Sequence, residues 1–278
     1  MTTSAPSRAA VSPEALKATH RAVWASGNYA AIARTIDATL PAALLAELPA
    51  LGGRDVLDVA TGTGNLAVRA ARAGARRTVG LDLVPELLDL ARTRDHAAGV
   101  EWVQGDAERL PFDDAGFDVT ASVVGVQFAP RHQVVADELL RVTRHGGTIG
   151  LVNWTPAGLV GQMFAVLGRH LPAPPAFASP PPRWGDPEHV AALLGAGVTD
   201  LAARRGHNTF TAPSARAFAT FFEDNYGPIR TAKEKLGDAW APCGAGLLAV
   251  YERLGRPDPD GQGWAVDGEF VVLTARRA

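Results

Sequence analysis

Val56-Leu-Asp-Val-Ala-Thr-Gly-Thr-Gly-Asn65 decides the fold. A short apolar strand runs into a glycine-rich turn that opens a helix. Gly62 and Gly64 let the backbone approach a ligand with no Cβ in the way. Alone, the stretch has two ligand-binding readings and one structural one. Gly62-x-Gly64-x-x-Ala67 fits a dinucleotide fingerprint, with Asp82 about 20 residues on for a ribose. A tight strand-to-helix turn with no ligand is the plain alternative.

Outward from this stretch, strand and helix alternate. Asp55–Val59 is the first strand, 65–73 a helix ending at Gly74, and Arg77–Asp82 a second strand. Pro85 to about Asp95 is a helix. Val100–Gln104 and Phe117–Val124 are further strands, followed by a helix near 131–144 and a fifth strand over Thr148–Trp154. Repeated strand–helix–strand units predict a parallel sheet covered on both faces.

The flanks differ. The first dozen residues are small and polar and read as a disordered tail. Ser12-Pro13-Glu14 starts a helix with Leu16, His20, Val23 and Trp24 on one face. Two further helices follow, the second carrying Ile32 and Ile36 and the third Leu44, Leu45 and Leu48. After Trp154 the alternation stops. A helix with Val160, Met163, Phe164, Leu167 and Leu171 leads to a stiff proline-rich connection and another helix from Asp186. Asn208–Thr211 is a candidate sixth strand. Two or three helices span 213–254, with Phe218, Phe221 and Phe222 more in keeping with core than with a ligand platform. Glu269–Thr274 is the last strand. The expected organisation is one domain over 1–278: a helical cap at 1–50, a ligand-binding core at 51–154, an insertion or lid at 155–198 and the rest of the core at 199–278.

Composition removes other classes. The 278 residues carry a net charge of −2, with no nucleic-acid-scale basic footprint. One cysteine, Cys243, excludes an internal disulfide and multi-cysteine metal sites. Lys17, Lys233 and Lys235 follow Leu16, Ala232 and Glu234, so no phosphate-binding P-loop exists. The histidines never recur at the spacing of a helical metal site, and no metal is implied. No apolar run is long enough for a membrane span, and the first residues lack the apolar stretch of a signal peptide. The expectation is a cytoplasmic protein.

Three acids choose between the readings of the glycine turn. Asp58 lies in the strand just before it, where it would repel a pyrophosphate and suits an ammonium group. Asp82 ends the second strand, where a carboxylate accepts from both ribose hydroxyls. Asp106, in Gly105-Asp-Ala-Glu-Arg-Leu-Pro-Phe112, follows the third strand and can accept from an adenine amine. All three fall at the strand edge where open α/β sheets bind ligands. An amino acid, a ribose and an adenine in a row describe S-adenosylmethionine. A nicotinamide-dependent oxidoreductase fits Asp58 and Gly105-Asp106-Ala107 poorly. A non-catalytic S-adenosylmethionine-binding protein would use the same residues.

Leu57–Asn65, Gly80-Leu-Asp-Leu83 and Gly105–Phe112 together resemble the class I S-adenosylmethionine-dependent methyltransferases. The branch most similar contains ubiquinone and menaquinone methyltransferases and bacterial small-molecule methyltransferases. Phe117-Asp-Val119, Gly125–Pro130, Glu138–Val142, Gly146-Gly147, Trp24–Tyr29 and Asn225–Pro228 extend the likeness over nearly the whole chain. The resemblance implies a Rossmann-like α/β fold with a seven-stranded, mostly parallel sheet in the order 3-2-1-4-5-7-6, strand seven antiparallel. It implies S-adenosylmethionine as cofactor and a small-molecule acceptor, with no nucleic acid; a homodimer stays open.

By the same resemblance, Asp58 and the backbone from Ala60 through Thr61 and Gly62 to Gly64 hold the methionine part. Asp82 takes the ribose, Leu83 packs on adenine, and Asp106 and Ala107 meet its amine and edge. The backbone of Ser122 or Val123 closes the methionine end, and Tyr29 covers the cofactor from the cap. Gln127 stands where relatives often carry an apolar residue. Acceptor-binding candidates are Trp24, Gln127, Phe128 and Trp154, the last equally suited to core. His20 is the candidate base, against a satisfied core histidine; His132 is the second candidate, against a solvated one.

Overall fold

The computed structural model describes residues 11–258 and 263–278; the tail expected at the start falls, for residues 1–10, outside the described residues. The cap is α1 (Pro13–Ala25), α2 (Tyr29–Ile36) and α3 (Leu40–Leu45). The alternating core follows as β1 (Asp55–Val59), α4 (Ala67–Arg72), β2 (Arg77–Asp82), α5 (Pro85–Arg92), β3 (Glu101–Gln104), β4 (Phe117–Val123), α6 (His132–Val142) and β5 (Thr143–Trp154). Then come α7 (Leu159–His170), a 3-10 turn (Pro181–Gly185), α8 (Pro187–Leu194) and β6 (Val198–Ala212). The chain ends with α9 (Ala215–Asn225), α10 (Gly227–Leu236), α11 (Trp240–Leu254), β7 (Gly255–Pro257) and β8 (Trp264–Arg277). Side-chain caps set several helix starts: Ser12, Asn28, Asp186 and Ser214 each accept from a first-turn N–H.

The sheet order is β3-β2-β1-β4-β5-β8-β6. Strands β1 to β5 are parallel, and β8 is antiparallel to both β5 and β6. The expected seven-strand path is therefore present, but the sheet has eight strands. β5 leaves β8 at Phe270, so the first residues of β8 have an unpaired edge, and β7 takes it at Trp264–Val266. β6 and β8 are also much longer than their apolar centres predict, because each supplies the other's backbone partners along its length.

Period-two alternation divides the core. Val56, Val119, Ala121 and Val152 face the cap helices, α7 and α9–α11; Leu57, Val59, Val79 and Leu81 face α6, α8 and Trp184. β1 is buried on both faces, which explains its uninterrupted apolar reading around Asp58. The strand order reverses between β1 and β4, so the crevice lies beyond their carboxyl ends.

The segment after β5 is pinned by a close approach. A Cβ on Gly185 would fall on the Trp154 carbonyl, well inside contact distance, whereas Gly168 in α7 has open space around it. Gly185→Ala is expected to cost about 1–3 kcal/mol as overpacking. Gly168→Ala is expected to gain about 0.5–1 kcal/mol through helix propensity. Paired thermal melts check both signs; a Gly185→Ala melt at or above wild type would refute the pinning.

Candidate active site

A cavity of about 700 Å³ opens at the carboxyl ends of the strands. Ala60 and Gly62 follow β1, Leu81 and Asp82 end β2 with Leu83 and Val84 after it, Gly105–Ala107 follow β3, and Val124 and Gly125 follow β4. Two non-glycine residues on its wall, Ala60 and Val124, have φ of 55° and 47°. For β-branched Val124 that is strained backbone, of the kind the surroundings must hold in place. Gly125 is what lets the two strand ends converge: a Cβ there would come within 2.5 Å of the Ala60 carbonyl oxygen.

Asp82 organises this edge. Its Oδ2 accepts from the Gly62 N–H at 2.7 Å and its Oδ1 from the Val84 N–H at 2.9 Å. Two carboxylate oxygens have about four acceptor positions, so capacity for a diol remains. Burial pushes the Asp82 carboxyl up to about 6, against the pull of those N–H groups. Asp58 is 1% exposed and lines an adjoining cavity of about 320 Å³ with Thr61, Val123 and Tyr29. Its Oδ2 accepts from the Thr61 hydroxyl at 2.6 Å and the Ala67 N–H at 3.1 Å, while Oδ1 has no partner. Asp58 thus also braces the turn that follows β1. Burial pushes it up to about 7.

The cap closes the other side. Lys17, His20 and Trp24 of α1 line the main cavity, at i, i+3 and i+7. Leu16 and Val23, expected on the same stripe, do not line it. Lys17 Nζ lies 2.6 Å from Asp106 Oδ2 and 3.2 Å from Glu108 Oε2. Glu108, with its side chain wholly buried, also pairs with Arg131 at 2.7 Å. Tyr29 lines both cavities, set edge-on to Trp24 at 5.5 Å. Burial lowers the His20 pKa, partly opposed by the nearby Phe128 backbone and by Glu108, which favours the neutral ring at pH 7.

Of the expected residues, Tyr29, Ala60, Gly62, Asp82, Leu83, Asp106, Ala107, His20, Trp24 and Phe128 are brought to the main cavity, and Asp58, Thr61 and Val123 to its neighbour. The others are placed elsewhere. His132 is 2% exposed, against Trp184, with Nδ1 3.1 Å from His189 Nε2; it is neither solvated nor on the cavity wall. Ser122 Oγ donates to the Val59 carbonyl, bracing β1 against β4. Gln127 Oε1 accepts from the Trp154 N–H, and neither side chain lines the main cavity. Gly64 is not among the residues lining either cavity, and a Cβ there would meet the Trp102 ring. Sequence reasoning missed Lys17, Glu108, Arg131 and Gly125. Only Lys17 left a signal, its place three residues before His20 on the same helix.

A methyltransferase-domain family model matches residues 57–151. An uncharacterized protein of Mycobacterium tuberculosis H37Rv is 41% identical over 280 residues, covering 100% of both chains. The demethylmenaquinone methyltransferase of Deinococcus radiodurans is 41% identical over 135 residues, 46% of this chain and 56% of that protein. Among solved structures, the YcgJ protein of Bacillus subtilis superposes with a TM-score of 0.56 at 16% identity, covering 86% of this chain and 98% of that one. The phospholethanolamine N-methyltransferase 2 of Haemonchus contortus, in complex with S-adenosylhomocysteine, gives 0.52 at 16%, covering 85% of this chain and 52% of that one. The chain belongs to the class I S-adenosylmethionine-dependent methyltransferases: S-adenosylmethionine is its cofactor and methyl transfer its activity.

The residues present fit that cofactor. The unpartnered, buried Asp58 Oδ1 suits an ammonium, and the free acceptor positions of Asp82 suit a ribose. Bound S-adenosylmethionine supplies an electrophilic methyl group on a positively charged sulfur. No helix among the described residues is long and apolar enough to cross a membrane.

Asp58 has a folded pKa above its unfolded value, so its contribution to stability is full at low pH and lost as pH rises from about 4 through about 7. Asn cannot ionise and keeps an oxygen for Thr61 and Ala67. The ligand-free Asp58→Asn variant should therefore gain on wild type steadily between pH 5 and 7.5. Melting temperatures across that range check it; a constant difference would refute the raised pKa.

Proposed function

We propose that the protein methylates a hydrophobic small molecule, of the secondary-metabolite or quinone-like kind, with His20 as the proton acceptor. The carrying observation is the roof of the cofactor cavity: Trp24 and Phe128, with ring centroids 4.5 Å apart, beside the neutral ring of His20. The cap at 1–50 and the insertion at 155–198 bound the acceptor. The net charge of −2 gives no footprint for a nucleic-acid substrate, and the relative from Deinococcus radiodurans is by name a methyltransferase of demethylmenaquinone.

Asp58 takes the cofactor's ammonium, Asp82 the ribose diol and Asp106 the adenine amine, while Tyr29 covers the glycine turn and shuts out water. Alignment and water exclusion are the protein's main contributions to such a displacement. A neutral imidazole carries its proton on one nitrogen, which leaves the other as acceptor for the acceptor molecule's proton.

Hydrogen bonds to charged groups contribute about 1.5–3 kcal/mol each. Asp82→Ala should therefore weaken S-adenosylhomocysteine binding at least tenfold by calorimetry, with no comparable NAD binding in wild type. An unchanged dissociation constant would remove Asp82 from the ribose.

General-base catalysis contributes about 10²–10⁴-fold. His20→Ala should slow single turnover by that factor and leave cofactor affinity nearly intact. A variant that melts earlier but turns over at full rate would return His20 to a packing role.

A further inference from the structure

Beyond the cofactor cavity lies a narrow chamber between α2, α7 and α9. Trp24, Tyr29, Val124 and Phe128 line both spaces. Every residue lining the chamber is buried except Trp24, Tyr29 and Phe128. Those three also line the cofactor cavity, so the chamber opens there. Tyr29 is common to the main cavity, the Asp58 cavity and the chamber. The chamber thus begins where the adenosine and methionine ends of the cofactor site meet.

Its walls carry no acid, lysine, arginine or histidine. Their hydrogen-bonding side chains are the indoles of Trp24 and Trp154 and the phenols of Tyr29 and Tyr226, and burial pushes both phenols up, so they stay protonated. An ionic group would enter without a counter-charge, at a cost of several kcal/mol. The far end is aromatic: Phe210 lies 6.0 Å from Trp154 and 5.9 Å edge-to-face from Phe222. Such walls suit another flat ring. The space is narrow and walled by rings, so it suits a flat ring better than a bulky or branched group.

We infer that this chamber is the acceptor subsite, built for the uncharged aromatic ring of the acceptor with its reacting group turned to the mouth at Tyr29 and Phe128. This deepens the proposed function and rests on it. The insertion then selects the acceptor through Val160 and Met163 of α7, and Phe210 and Phe222 close the far end. Amines, amino acids, carboxylates and phosphate esters are excluded from the ring-holding space.

Three probes of one size and different charge test it at pH 7.5: 2-naphthol, 2-naphthoate and 2-naphthylmethylamine. Each is titrated by calorimetry into the full chain, with and without S-adenosylhomocysteine. The naphthol should bind at least tenfold more tightly than either ion. Val160→Trp, which fills the chamber, should weaken naphthol at least tenfold while S-adenosylhomocysteine affinity moves less than twofold. If Val160→Trp does not fold, Met163→Phe is read the same way. Equal binding of the three probes, no naphthol binding, or naphthol binding indifferent to the filling substitution would overturn the inference. The readout is binding, so a failure of His20 as proton acceptor would appear in turnover and leave this result unmoved.

Discussion

The buried clasp made by Asp82 is the contact on which the rest of the site depends. Its carboxylate holds the glycine turn after β1 through the Gly62 N–H, and its own carbonyl accepts from the Gly105 N–H at 2.9 Å. One residue at the end of β2 therefore fixes the loops after β1 and β3. Thr61 N–H to the Leu81 carbonyl at 2.9 Å adds a parallel strut. The arrangement is costly for the empty protein, since Asp82 and Asp58 are both buried and both pushed upward. Such acids favour a ligand that brings positive charge, and the sulfonium and ammonium of the cofactor do.

Polar and apolar work are separated in space. The carboxylates stand at the strand ends nearest β1, β2 and β3, whereas the cap, α7 and α9 contribute aromatic and aliphatic walls. Tyr29 stands between them. The same two-sided sheet that buries β1 on both faces leaves only its carboxyl edge for chemistry, and the reversal of strand order there opens the space.

Much of this was legible from residues alone. β1 to β5 announced themselves as short apolar runs, and the acids at the carboxyl ends of β1, β2 and β3 named the cofactor. The order of strands came from resemblance. What stayed hidden was set by partners distant in sequence. Arg204 and Arg205 make β6 look like a loop, yet β8 pairs with it throughout. β7 exists because an edge of β8 needed hydrogen bonds. His132 meets His189 57 residues away, and no local pattern foretells that. The α1 stripe was misjudged because its inward face is partly charged, so hydrophobic periodicity pointed beside it. Lys17, Glu108 and Arg131 matter only as a set that the fold assembles.

That set gives the cap a particular freedom. Glu108 has two cationic partners, Lys17 from α1 and Arg131 from the start of α6. Without the Lys17 amine, Glu108 would still keep the Arg131 guanidinium and the Arg131 N–H at 2.7 Å. No naked charge is stranded in the interior, so the penalty that makes most buried ion pairs hard to break does not arise. The amine end of the cap is thus held by charge in a shielded setting, with the Lys17 and Glu108 side chains 14% and 0% exposed, where added salt screens it little. The Trp24 end, packed edge-on and tilted among Tyr29, Phe128 and Tyr226, is an apolar anchor that salt does not loosen.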